Sequence, residues 1–378
     1  MGTIRWLLAI SVLITHSGPI FGITLLNGDM AITEFFIISG FLMALILDER
    51  YRSSIKKFYV NRFLRIYPPY IAALLFSIIF FFFYRNGAHN PWKFFNQFEH
   101  IGEFNAFCAI SNITMLGLDI SRYINIDITG LIFPNFMHPH EGDSIHSCLF
   151  VPQGWTLALE IWFYLLVPFI FRWRTGLLIL AVILIFIADY YTNIKIRGID
   201  TLAFFPLALR FFLLGMITFR LYKYLSQHQG STLPSPKKGI IDLIGFLFCI
   251  VLVVYGRDIM IFIDNLRLID PYYRNSAYYL LFALSLPFAF SFGNNFKIDN
   301  ALGEYSYPIY LFHYPIAKWA ERTLSDTYIG IASLVLTMVI SAIYIYTIDP
   351  KIQSIRNKVR KSKLIDSRSI NIKYSPNS

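Results

Sequence analysis

The sequence predicts an all-α, polytopic transmembrane helical bundle of about ten spans, with both termini cytoplasmic. Three observations carry that prediction. The 378 residues are 56% hydrophobic and only 15% charged, with a mean hydropathy of +0.53, whereas a soluble domain is nearer half apolar and a quarter charged. Apolar runs long enough to cross a hydrocarbon core of about 30 Å recur along the chain, at 6–21, 31–47, 67–84, 155–171 and 329–348 among others. Lys and Arg are also shared unequally between alternate links, 22 of the 33 falling on one side. The positive-inside rule assigns that side to the cytoplasm.

Spans are expected near 4–22, 30–47, 67–84, 155–172, 175–192, 201–221, 239–256, 277–294, 302–320 and 328–348. The first begins after Met1–Arg5 in the manner of a signal peptide, but it lacks a small-x-small cleavage site and more spans follow, so retention is expected. Arg50, Arg52, Lys56, Lys57, Arg62 and Arg65 crowd the link between the second and third spans. Segment 104–118 is apolar but short and holds Asn105, Ser111, Asn112 and Thr114. Were it to cross, Arg172, Arg174 and every later basic cluster would face outward. Residues 85–154 are therefore expected to form one external region, with 104–118 packed against or dipping into the membrane. Residues 1–350 make the transmembrane domain, and 351–378 a basic, disordered cytoplasmic tail.

Several classes of function are disfavoured. A net charge of +10 follows from topology and from attraction of the tail to anionic headgroups, so no nucleic-acid partner is expected. Neither a GxSxG elbow nor a GxxxxGK[ST] phosphate loop is present. His138, His140, Glu141, Asp143 and His146 resemble metal-ligand material, but their spacing fits no zinc pattern, and a solvated or acceptor-binding loop is expected with no metal. Cys108 and Cys148 share the external region; a disulfide depends on an oxidising face and on geometry that spacing does not give.

Polar groups inside spans carry the chemical information, because a charge at a helix centre costs about 2.5–3.5 kcal/mol on the insertion scale. His16 lies 11 residues beyond Arg5, about 16 Å at the helical rise, which sets Arg5 at the inner mouth and His16 in the outer half. Glu160 follows Trp155 by five residues, Arg210 is deep in the sixth span, and His313 is mid-span among Tyr305, Tyr307 and Tyr310. Each also has a plain structural reading: an Arg–Glu pair for Arg210, packing for His313, and close helix approach at Ser39-Gly40. His16 differs, since a neutral imidazole is the natural group to take a proton from a hydroxyl at neutral pH.

At these residues the sequence resembles the acyltransferase-3 family of membrane acyltransferases, which includes bacterial O-antigen and exopolysaccharide O-acetylases. Arg5 and His16 match its first span, and Phe35-Phe-Ile-Ile-Ser39-Gly-Phe41 is similar to FFxxSGF. Arg62-Phe-Leu-Arg65-Ile-Tyr67-Pro68 resembles RxxRIxP, and Trp155 through Tyr164 resembles WxLxxExxFY. Arg210…Gly215 and Leu302 through His313 fit later elements, and Asp349-Pro350 stands where the last helix commonly ends. Where the family often carries an acid before the paired Phe, this chain has Thr33, with Glu34 displaced about 100° round the helix. About 28 residues follow Pro350, and the stand-alone form without an SGNH-type domain is expected.

The resemblance implies an acyltransferase of the bacterial inner membrane, moving acetyl from cytoplasmic acetyl-CoA to a hydroxyl of a surface glycan such as lipopolysaccharide O-antigen or exopolysaccharide. Acetyl-CoA is then a co-substrate, with no bound cofactor, and the partners are the glycan or lipid-linked glycan acceptor and membrane lipid. His16 and Glu160 are the expected catalytic residues. Arg5, Arg62 and Arg65 are expected to bind the donor, the last two lying on one helix face where guanidinium forks grip phosphate. Ser39, Arg210, Tyr305 and His313 are expected to support them. The same intramembrane charges would also serve a transporter of polysaccharide or lipid-linked glycan, and a scaffold subunit of a glycan synthase is the remaining alternative.

Overall fold

The structure is a computed structural model that describes residues 1–51, 54–84, 90–127, 130–132, 143–195, 200–228, 235–267, 270–293 and 296–361. In chain order its long helices are α1 (Gly2–Ser17), α2 (Gly28–Glu49) and α3 (Ile55–Phe83). Two short helices, α4 (Pro91–Gln97) and α5 (Gly102–Thr114), precede a small antiparallel sheet of β1 (Asn125–Asp127), β2 (Gly130–Ile132) and β3 (Asp143–Ser144) in the order β2-β1-β3. There follow α6 (Trp155–Ile170), α7 (Thr175–Lys195), α8 (Phe205–His228), α9 (Ser235–Leu266), α10 (Pro271–Gly293), α11 (Lys297–Thr323), α12 (Asp326–Thr347) and α13 (Asp349–Lys361). The protein is an all-α, multi-pass membrane bundle. Among the described residues, eight helices are long and apolar enough to cross by length and composition. The expected spans include two more, α1, which is only 16 residues, and α11, which is polar along one face.

Those two helices form the axis of the bundle, and they run parallel. Asp299, in the first turn of α11, accepts from the backbone N–H of Gly2 (2.7 Å) and Thr3 (2.8 Å) and from the Thr3 hydroxyl (2.8 Å). Its carboxylate thus satisfies donors that a helix start leaves without intrahelical partners, and its charge suits the positive end of the helix dipole. One turn on, Arg5 Nη2 donates to the Gly303 carbonyl at 2.7 Å. At the far end the rings of His16 and His313 lie 5.3 Å apart. A first span parallel to α11 makes α11 odd-numbered, as it is when 104–118 does not cross. Only 13 residues long, α5 covers about 20 Å and is too short for the bilayer core.

Instead α5 enters the bundle side. The hydroxyls of Tyr67 and Tyr70, midway along α3, donate to the carbonyls of Ile113 (3.0 Å) and Asn112 (2.7 Å). Ile110 and Ile113 remain more than half exposed, as lipid-facing residues would be. The helix stops at Met115 in the left-handed conformation (φ 63°). Cys108 is bonded to Cys148, which answers the question the spacing left open. Asn112 ties the same strands together, donating to the Cys148 carbonyl (3.1 Å) and accepting from the Phe150 N–H (2.9 Å).

The chain from Cys148 to Gly154 is buried throughout without α-helical structure. Non-helical backbone at membrane depth is tolerated only where protein surrounds it. Gln153 illustrates how: its Nε2 donates to the Leu311 carbonyl at 2.8 Å, the acceptor that Pro315 deprives of its usual N–H. On the other flank α2 and α8 approach at Gly40 and Gly215. A Cβ at either would lie about 2 Å from the opposing backbone carbonyl of Phe212 or Ile37, so only glycine permits this contact.

The tail requires a correction. Residues 349–361 are not disordered but form α13, packed on α3, with Ile352 buried. Asp349-Pro350 begins a helix here, as Pro in a first turn favours, and does not merely end one. Residues 362–378 lie outside those described.

Candidate active site

Two adjoining cavities open the bundle at its basic end. The outer one, about 280 Å³, lies between α1, α3, α11 and α13, and its lining includes Arg5, Arg62, Arg65, Glu304, Arg356 and Arg360. The inner one, about 550 Å³, shares Arg5, Arg62, Arg65 and Tyr307 with it and runs on to Ser39, Thr156, Glu160, Tyr164 and Tyr310. All three expected donor-binding arginines therefore face the same space, although Arg5 lies more than fifty positions before the other two in the chain. Arg62 is buried: its Nη2 donates to Asn61 Oδ1 at 3.2 Å, its Nη1 reaches Met43 Sδ at 3.7 Å, and the Phe58 ring lies 5.9 Å below.

Glu160 stands on the wall of the inner cavity one and a half turns into α6. The Tyr164 hydroxyl, one turn on, donates to Glu160 Oε2 at 3.0 Å, and Arg5, Arg62 and Arg65 lie within electrostatic reach. Ser39, opposite on α2, turns a buried hydroxyl towards Glu160 and Tyr164. Together they make a polar pocket whose positive side faces the mouth.

His16 is not in that cavity. It lies beyond a layer in which the Tyr310 hydroxyl donates to the Gln153 carbonyl at 2.9 Å and meets Thr156 Oγ1 at 2.6 Å. The Tyr310 ring is 5.9 Å from that of His313, and His313 is 5.3 Å from His16, which also meets Tyr314 edge-on at 5.5 Å. His313 is fully buried; its Nδ1 is 2.7 Å from the Tyr310 carbonyl, a contact that requires an N–H there, while Nε2 has no partner among the described residues. Of the two expected catalytic groups, Glu160 is thus on the cavity side of Tyr310 and His16 on the other.

The remaining expected residues divide. Arg210 supports neither end: it pairs with Asp189 of α7 at 3.0 Å, donates to the Leu207 carbonyl and lies over the Phe211 ring at 4.3 Å. This is a buried ion pair between α7 and α8, with Asp in place of the expected Glu. Tyr305 packs at the α11–α12 face, and not at the inner cavity. Glu34 is buried and accepts from the Tyr278 hydroxyl, away from Arg62 and Arg65. His138, His140 and Glu141 lie outside the described residues. His146 sits against Ser121, with Nδ1 3.0 Å from Oγ. Among the described residues no group of three metal-ligating side chains converges.

Sequence reasoning missed Tyr164, Tyr310, Gln153 and Arg356. Tyr164 had a signal, since Glu160 and Tyr164 are four apart on one helix face. Ile352, Ile355 and Val359 likewise recur with helical spacing in the stretch read as a tail. The Tyr310–Gln153 contact links residues more than 150 positions apart and had none.

The family model of the acyltransferase-3 acyltransferase domain matches residues 2–348. The chain belongs to that family. No curated protein and no solved structure matches it.

Proposed function

We propose that this membrane acyltransferase moves an acetyl group from acetyl-CoA to a hydroxyl of a cell-surface glycan at the bacterial inner membrane. The observation that carries the reading is the paired cavity, cationic at its mouth and running past Tyr307 and Tyr164 to Thr156 and Tyr310. The phosphates of the donor suit the guanidinium-lined mouth, which by the positive-inside rule is cytoplasmic. Its pantetheine arm, long and narrow, suits the inner cavity, where Glu160 and Tyr164 orient the thioester.

The acceptor hydroxyl comes from the other end. Tyr310 turns aside, the hydroxyl oxygen forms a bond to the thioester carbon, and His16 takes its proton. The carbon–sulfur bond breaks as the carbon–oxygen bond is completed. The thiolate leaves towards Arg5 and Arg65 and is protonated from solvent at the mouth, while His16 returns its proton to solvent on its own side. Products are the glycan ester and free CoA.

The test is ester-linked acetate on surface glycan from cells carrying wild type or His16→Ala at equal protein abundance. Acetate is expected to disappear with glycan amount unchanged. Persistence at the normal level sinks the catalytic role of His16, and loss of the glycan itself would favour the transporter reading.

A further inference from the structure

We propose that α13 is half of the donor's phosphate site: Arg356 and Arg360 join Arg62 and Arg65 to bind the nucleotide end of the acyl-CoA. The proposal rests on the acyl-CoA reading above and adds an element outside the spans. Arg356 and Arg360 are four apart and occupy one face of α13; both line the outer cavity beside the pair from α3. Asn61 couples the two walls. Its Oδ1 accepts from Arg62 Nη2 at 3.2 Å and from Arg356 Nη2 at 3.4 Å, and its Nδ2 donates to the Arg356 carbonyl at 3.5 Å.

The charge on this cavity is unbalanced. Among the described residues, six arginines line it against two carboxylates, Glu304 and Asp349, and Asp349 is already engaged by Gln353 Nε2 at 2.6 Å. Arg62 is 6% exposed, and the buried Nε atoms of Arg5, Arg62 and Arg356 have no partner among the described residues. Burial and, next, the neighbouring Arg65 charge push Arg356 down to about 10, still fully charged at neutral pH. Cations held together with free donors call for a multiply charged oxyanion, and planar guanidinium forks match phosphate oxygens. A diphosphate with a further phosphomonoester fits that demand; so does an anionic lipid headgroup, which the test separates.

The experiment measures binding of CoA, 3′-dephospho-CoA and inorganic pyrophosphate to the full chain in phosphatidylcholine nanodiscs, with and without added phosphatidylglycerol. Arg356→Gln with Arg360→Gln is expected to weaken CoA at least tenfold, whereas Lys358→Gln, on the exposed side of α13, leaves it within twofold. Arg356→Lys, which keeps the charge but not the fork, should fall between and guards against a merely unfolded helix. Wild-type affinity for CoA in the double variant overturns the role of α13 and leaves the acyl-CoA reading intact. Pyrophosphate binding that needs Arg356, without any CoA binding, keeps the anion site and overturns the donor. Failure of wild type to bind any of the three overturns both, and phosphatidylglycerol that occupies the site against CoA hands it to lipid.

Discussion

At the basic end of the bundle, cations from α1, α3 and α13 face one another across open space. At the opposite end, space has been filled: a buried segment without α-helix and a disulfide close the side, and a stack of aromatic and imidazole rings joins α1 to α11. The first arrangement is electrostatically unfavourable by itself and gains when an anion enters. The second closes much of its own backbone, Asn112 taking the Cys148 carbonyl and the Phe150 N–H and Gln153 taking the α11 carbonyl that Pro315 frees, while His313 Nε2 has no partner among the described residues. One end leaves its cations facing open space, and the other sets Tyr310 and the two histidines at a packed boundary.

The sharpest way to break that contrast is at its boundary. His16→Ala is expected to lower acyl transfer by about 10²–10⁴-fold, the range for loss of a general base, with donor binding unchanged; a matched fall in donor affinity would mean His16 belongs to the cavity after all. Arg210→Ala should act on the frame alone. Removing one member of its buried pair with Asp189 costs about 3–5 kcal/mol of stability, seen as a lowered unfolding temperature with turnover per folded molecule preserved. Reducing the Cys108–Cys148 bond, which closes a loop of sequence separation 40, should cost about 2–4 kcal/mol, read by proteolysis within 104–154 before the spans respond.

At the mouth, Arg65→Ala is expected to raise the donor KM by about tenfold or somewhat more, the scale of a lost charged hydrogen bond, with kcat nearly constant. A fall in kcat at fixed KM would instead assign Arg65 to the transition state. The smallest effect concerns pH. Burial, and then the charge of Arg122, push His146 down to about 3, so it stays neutral when folded but protonates near 6.5 when unfolded. Its stabilisation is complete above pH 6.5 and is lost as pH falls from there towards 3. Opening of 143–154, followed by hydrogen exchange, should become easier by about 1 kcal/mol near pH 5.5, and His146→Gln should flatten the dependence.

The eight helices of spanning length and apolarity among the described residues were readable because each is announced locally, by an apolar run and by the charges that flank it. That Arg5, Arg62 and Arg65 gather at one mouth was readable for a related reason: Arg62 and Arg65 lie three apart on one helix, and Arg5 sits at a predicted helix mouth. Arg210 announced its burial but not its partner, since Asp189 comes from a separate helix. The tail was misread because its basic residues outweighed the Ile352, Ile355 and Val359 spacing and the Asp-Pro start. Nothing local announces that Gln153 answers a carbonyl freed by Pro315, or that Tyr310 divides the axis. Both facts belong to contacts between distant segments, where a side chain's identity states what it needs and not who supplies it.

The parallel pair at the centre imposes an order on biogenesis. The ribosome releases α1 first, but the acid that caps it and the backbone that holds Arg5 arrive only with residues 299–303, and Arg356 later still. Until then the leading helix is a short, charged insert without its mate, and contacts of such sequence separation form slowly. The basic mouth therefore closes last, so an interrupted chain lacks it even if most of its spans have already reached the bilayer.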